Sequence, residues 1–108
     1  MPRGAIVLVP FPFTDLTGHK VRPALVLYSQ NGGEDCIVAF ISSNQQRKMG
    51  MYDVAVTPTK LNGIKLPSII KVNKIATLQK KIVLGEIGDL EPDTLLKVGS
   101  VLKKLLGI

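Results

Sequence analysis

Apolar residues in this chain fall in short runs separated by turn formers, and only the carboxyl end shows a helical period. Residues 4–9, 24–28 and 36–41 (Cys-Ile-Val-Ala-Phe-Ile) are bounded by Gly, Pro, Asn or Ser, which predicts buried strands. Asn31-Gly32-Gly33 separates the second from the third and predicts an antiparallel hairpin. Residues 52–57 (Tyr-Asp-Val-Ala-Val-Thr) alternate and stop at Pro58, a half-exposed strand in which Asp53 is expected to face solvent. Asn62-Gly63 is another turn. Residues 67–73 form a fifth strand that 76–78 continue after a break; residues 82–87 are either a sixth short strand or the end of a loop.

The period changes near the end. Leu95, Val98, Leu102 and Leu105 follow helical spacing, flanked by Leu96, Val101 and Leu106, so one wide apolar face must cover a sheet or meet another subunit. Pro92 suits the first helical position, Glu91 and Asp93 suit the positive end, and Lys103, Lys104 and Gly107 suit the other. The spacing predicts a helix of about four turns. Five or six short strands with one helix are too few for a sandwich, and nothing alternates as a parallel sheet requires. The expected fold is mainly β: a small, strongly curved antiparallel barrel with a C-terminal helix, one domain over residues 1–108.

Composition narrows the classes. Apolar residues make up 45% of the chain, ordinary for a packed domain. No apolar run approaches the roughly 18 residues of a membrane span. The start, Met1-Pro2-Arg3-Gly4, leads into a proline-broken stretch rather than a signal peptide, so a cytoplasmic protein is expected. Cys36 is the only cysteine and His19 the only histidine, which excludes an intrachain disulfide and leaves no ligand set for structural zinc. Cys36 is either a catalytic thiol or a buried structural residue, and its place in an apolar strand favours the second. Fourteen Lys and Arg against eight Asp and Glu give a net charge of +6 and a pI near 9.7. Such a balance fits a polyanion or an acidic protein as partner, or simply a lysine-rich surface.

There is no phosphate-binding glycine loop, dinucleotide fingerprint, nucleophile elbow or acidic pair spaced for a metal. The informative segment is Gly18-His19-Lys20-Val21-Arg22-Pro23, which runs straight into the apolar strand 24–27. Pro23 belongs at the first residue of a strand or on an edge and steers Arg22 to an extended backbone. A guanidinium is thereby held where a strand meets a loop, a good place for an anion. Ser42, Ser43 and Asn44 follow the third apolar run and mark a strand leaving the core; as residue types alone they also describe a turn.

Upstream, Gly4-Ala5-Ile6-Val7-Leu8-Val9-Pro10-Phe11-Pro12-Phe13-Thr14-Asp15 carries a strand into a proline-bracketed aromatic pair. With Thr17-Gly18-His19-Lys20 and Val21-Arg22-Pro23-Ala24-Leu25-Val26-Leu27, this order resembles the amino-terminal half of the PemK/MazF family, toxins of prokaryotic type II toxin–antitoxin pairs. The resemblance covers most of the chain, strongest over residues 4–43 and weakest over 44–66. It implies an SH3-like barrel of the CcdB/PemK type with appended helices, assembled as a homodimer.

The resemblance also implies a metal-independent, sequence-specific endoribonuclease that cuts single-stranded messenger RNA through a 2′,3′-cyclic phosphate. It implies no cofactor and an antitoxin that binds through an acidic segment. Arg22 would clamp the phosphate and stabilise the transition state, since guanidinium is planar and permanently charged. Ser42 occupies the position of the family's Thr or Ser partner to that arginine, with Ser43 one residue away. His19 is the natural general acid or base, or an exposed loop histidine. Phe13, Thr14, Asp15 and Lys20 would contact RNA, Phe13 by stacking on a base unless it is a core or dimer aromatic. Some members carry Arg-X-Asp in the fifth strand where this chain has Lys71-Val72-Asn73; these two are expected as phosphate and base-edge contacts. Two alternatives remain. One is a gyrase-inhibiting CcdB-type toxin, although those end in Trp-Gly-Ile and this chain ends Leu106-Gly107-Ile108. The other is a catalytically inactive barrel that only binds nucleic acid or antitoxin.

Overall fold

The structure, a computed structural model, describes residues 1–11, 20–43 and 48–108. Six strands, β1 (Ala5–Phe11), β2 (Lys20–Ser29), β3 (Asp35–Ser42), β4 (Asp53–Val56), β5 (Ser68–Gln79) and β6 (Gly85–Asp89), precede one helix, α1 (Pro92–Leu106). They form a single curled sheet in the order β4-β5-β3-β2-β1-β6, with every ladder antiparallel. No described helix is long and apolar enough to cross a membrane.

The expected elements are present, longer at the ends where prolines stand. β1 runs on through Pro10 to Phe11, and β2 begins at Lys20, ahead of Pro23. Pro23 pairs with Leu8 on β1, while the β2–β3 ladder starts only at Ala24. Pro10 pairs with Val21, while the β1–β6 ladder ends at Leu8. Both prolines thus sit where their strand has one ladder neighbour, the edge-like setting in which a missing N–H is tolerated. The Asn31-Gly32-Gly33 hairpin forms, with Gly32 at φ +74° and the Gly33 N–H donating to the Gln30 carbonyl at 3.0 Å.

The break in the fifth strand is a bulge. Ala39 pairs with Ile75 and the next residue, Phe40, pairs with Lys71, so Val72, Asn73 and Lys74 bow out of the ladder. A 3₁₀ turn at Lys80–Ile82 then leads into β6, which is a strand rather than the end of a loop. Of the appended helices expected, α1 is the one α-helix among the described residues.

Alternation along the strands makes two apolar layers. Ile6, Leu25, Ala39, Ile41, Val54, Val56, Ile70 and Val72 face α1, which answers with Val98, Leu95, Val101, Leu102 and Leu105. Ala5, Val7, Val9, Ala24, Val26, Cys36 and Val38 face the other way and pack with Leu78, Phe40, Ile82 and Val83. Each fully buried aliphatic contributes about 1.5–3 kcal/mol, so both faces of the central strands hold the sheet. Cys36 is one of these side chains, and burial pushes its thiol pKa up, the opposite of an activated nucleophile.

Two of the residues expected to flank the helical stripe do not join it: Leu96 is 74% exposed and Leu106 56%. The apolar arc of the helix is wider than the stripe that packs on the sheet. The turn before β5 is fixed by Asn62, fully buried, whose Oδ1 accepts from the Thr59 and Ile64 N–H groups at 3.1 and 3.0 Å. Gly63 beside it adopts φ +69°, and a Cβ there would stand 2.1 Å from the Ile87 carbonyl oxygen, so no other residue fits.

Candidate active site

Arg22 lies opposite Val9, at the end of the sheet where β2 outruns β3. It is two residues from Ala24, so its side chain leaves on the face of Ala24 and Val26, away from α1. There its guanidinium carbon sits 5.7 Å from the centroid of the Phe11 ring, within cation–π reach. Phe11 in turn meets Phe40 edge-on, the rings 6.3 Å apart and inclined at 67°. The arginine is half-buried and braced from one side by Phe11, which Phe40 backs edge-on.

The β2–β3 register carries this further. Ala24 pairs with Phe40 and Leu25 with Ala39; two more steps set Arg22 opposite Ser42, the last residue of β3. Ser42 therefore shares the sheet face of Arg22. Ser43 is one step on, exposed, and lines a different space: a cavity of about 230 Å³ with Leu8, Pro23, Ile64, Leu66 and Ile87 on the opposite face. The sheet separates the two serines that sequence alone could not.

Lys20 is exposed at the start of β2, opposite Phe11. Asn73 is exposed in the β5 bulge. Lys71 is placed differently from expectation. Its ammonium lies 2.9 Å from both carboxylate oxygens of Asp53, with the lysine side chain 14% exposed and the aspartate 3%. Asp53 Oδ2 also accepts the Gly50 N–H at 2.7 Å. The expectation that Asp53 faces solvent is thus corrected: it shares the face of Lys71, its ladder partner, and the lysine and the turn at Gly50 enclose it. Phe13, Thr14, Asp15 and His19, the remaining expected contacts, lie outside the described residues.

What sequence reading missed here is the aromatic brace and the ion pair. Phe11 and Phe40 were visible as apolar residues of two strands. The signal that they meet is register, since Phe11 lies two residues beyond Val9, the partner of Arg22, and Phe40 lies two residues before Ser42 on β3.

A half-buried arginine, a hydroxyl on the same sheet face and an exposed lysine at the mouth of an antiparallel, curled sheet define a class: a small barrel-like protein with a candidate anion site at one end of its central strands. The chain belongs to the PemK-like, MazF-like toxins of type II toxin–antitoxin systems, whose family profile matches residues 2–106. No curated protein matches it by sequence. Among solved structures, MazE–MazF of Deinococcus radiodurans (Form III) is similar at a TM-score of 0.80 and 22% identity, over 100% of this chain and 97% of that one. A mycobacterial endoribonuclease in complex with its cognate antitoxin is similar at 0.78 and 20%, over 100% and 96%. Mycobacterium tuberculosis toxin MazF-mt6 is similar at 0.78 and 18%, over 96% and 97%. At these identities the likeness establishes the fold.

Proposed function

We propose that the chain is one toxin domain acting as a metal-independent endoribonuclease on single-stranded messenger RNA, cutting at a short sequence. The 2′-hydroxyl attacks the adjacent phosphorus, its proton passing to a base, and the bond from phosphorus to the 5′-oxygen breaks as that oxygen takes up a proton. The products are a 2′,3′-cyclic phosphate and a 5′-hydroxyl. This reaction needs no protein nucleophile. It needs a fixed cation and hydrogen-bond donors where charge grows on the phosphorane oxygens.

The observation that carries the reading is Arg22, braced by Phe11 on the sheet face that also holds Ser42. In this reading Arg22 clamps the phosphate, Ser42 orients it, and His19 supplies proton transfer. Phe13, Thr14, Asp15, Lys20, Ser43 and Asn73 contact the RNA strand. Lys71 is the weakest of these contacts, because its charge is already matched by Asp53. The similar solved structures, an endoribonuclease bound to its cognate antitoxin and MazE–MazF, support both the activity and an antitoxin partner, and the net charge of +6 suits an acidic segment of that partner. The protein works in the cytoplasm as a homodimer.

A mixed-sequence single-stranded RNA incubated with purified protein in EDTA tests this, with Arg22→Ala prepared identically. Discrete fragments ending in cyclic phosphate are expected from the first, and a rate about two to three orders of magnitude lower from the second. One observation favours a second reading, a barrel that only binds: Lys71 is held by Asp53, and the fifth strand carries no carboxylate of its own. An intact RNA that nevertheless binds the protein would establish that reading instead.

A further inference from the structure

At the sheet end that carries Arg22, part of the apolar layer on the α1 side is left open. Leu8 and Pro23, partners across β1 and β2, take the face opposite Arg22. With Ser43, Ile64, Leu66 and Ile87 they line the cavity of about 230 Å³, and none of its described lining residues comes from α1. Its walls are fixed by buried hydrogen bonds. Ile64 is buried, and its N–H donates to the fully buried Asn62 at 3.0 Å. The buried Ser68 hydroxyl donates to the Leu66 carbonyl at 2.7 Å. This holds the backbone from which the exposed Lys65 and Leu66 side chains stand at the cavity.

Two features tie the cavity to the candidate active site on the other face. Chain neighbours serve both: Arg22 and Pro23 on β2, Ser42 and Ser43 at the end of β3. The β2–β3 ladder also runs no further than Ala24 and Phe40, so the strand tips between the two sites are not laced together.

We propose that this cavity receives one base of the RNA substrate. With a phosphate held at Arg22, an adjoining nucleotide turns over the strand tips and seats its base against Pro23, Leu66 and Ile87. The inference rests on the ribonuclease reading above and adds to it a place where sequence is read. Size limits the occupant. Pockets for drug-sized ligands and cofactors span roughly 300–1,000 Å³; this one is smaller and suits a single heterocycle. Chemistry then selects among small occupants. Unstacked bases of single-stranded RNA are bound by packing on their faces and hydrogen bonds to their edges. Leu8, Pro23, Leu66 and Ile87 supply the first, and the Ser43 hydroxyl, able to donate or accept, supplies the second. Lys65 offers a cation to the next phosphate. An aliphatic side chain from a protein partner would use the walls and leave that hydroxyl and ammonium without a role.

Chemical-shift mapping on the isotope-labelled chain tests this without requiring cleavage. The probes are a short mixed-sequence 2′-fluoro RNA, which lacks the attacking hydroxyl, and an abasic sugar–phosphate chain of equal length. The RNA is expected to shift the amides of Arg22, Leu8, Ile64, Leu66 and Ile87, and the abasic chain that of Arg22 alone among these. Leu66→Ala, which trims an exposed side chain, should weaken RNA binding about three- to tenfold. Its affinity for the abasic chain should stay within about twofold of wild type. RNA that shifts Arg22 but not Leu8, Ile64 or Ile87 overturns the base pocket and leaves the ribonuclease reading standing. No shift at Arg22 from either probe removes both. Equal losses on the two probes in Leu66→Ala also overturn the pocket. So do cavity amides that shift with protein concentration and not with RNA, since the occupant is then a protein chain.

Discussion

The Lys71 ammonium and the Asp53 carboxylate form a two-oxygen ion pair at 2.9 Å across the β4–β5 ladder, and hardly any of the aspartate reaches solvent. An ion pair so enclosed is held by geometry, and removing one partner strands the other. Asp53→Ala should destabilise the fold by about 3–5 kcal/mol, because it leaves a cation in a site built for its counter-ion and frees the Gly50 N–H. Asp53→Ala with Lys71→Met should recover a large part of that loss. Urea unfolding of the two variants measures both; equal destabilisation would mean that the pair carries no coupling.

Arg22 and Phe11 predict losses of different size. Arg22→Ala removes the cation and should slow RNA cleavage about 10²–10³-fold. Phe11→Ala leaves the charge and removes only its brace. A cation–π contact at a half-exposed position is worth about 0.5–1 kcal/mol, so the rate should fall about two- to fivefold. Single-turnover cleavage with RNA in excess of its binding constant separates the two. A Phe11→Ala protein as inactive as Arg22→Ala would mean that the ring touches substrate.

Ser42 and Ser43 are separated by the pleat. Ser42 shares the face of Arg22 by register, whereas Ser43 lines the cavity behind Pro23. Ser42→Ala should therefore lower the cleavage rate by about tenfold or more, on the scale of a lost hydrogen bond to a charged group. Ser43→Ala should change the rate less than Ser42→Ala does. The reverse order would place the catalytic hydroxyl one residue later and on the other face.

Strands, hairpin and helix were legible because each rests on local pattern: apolar runs between turn formers, Asn-Gly signals and a period of 3.6. The extended placement of Arg22 at the end of β2 was legible for the same reason, since Pro23 steers the backbone beside it. The choice between Ser42 and Ser43 was not, because both end the same strand and only pairing with β2 decides the face. Asp53 was misread because alternation says which face a strand residue takes, and not what covers that face; its cover comes from Lys71, 18 residues away. The exposure of Leu96 and Leu106 escaped for a related reason. Helical spacing shows how wide an apolar arc is, while the width of the sheet beneath sets how much of it is buried.

Glu91 gives the pH dependence a sign. Its carboxylate accepts from the Thr59 hydroxyl at 2.6 Å and from the Asn62 amide at 3.0 Å, and these bonds, the threonine's first, hold its pKa below the ordinary carboxylate value. Neither bond survives in the unfolded chain, where the group titrates near about 4.3. Between the two pKa values the unfolded state binds more protons, so stability rises with pH through that window. The contribution is complete above the unfolded pKa and disappears as pH falls through the folded one. The bonds tie the turn at Thr59–Asn62 to the residue preceding α1, so their loss loosens the helix start. Glu91→Gln should cost about 1 kcal/mol at pH 7, and the gap to wild type should close toward pH 3. Urea midpoints at pH 7, 5 and 3 measure it, and a gap that stays constant across that range would show that the charge on Glu91 contributes nothing.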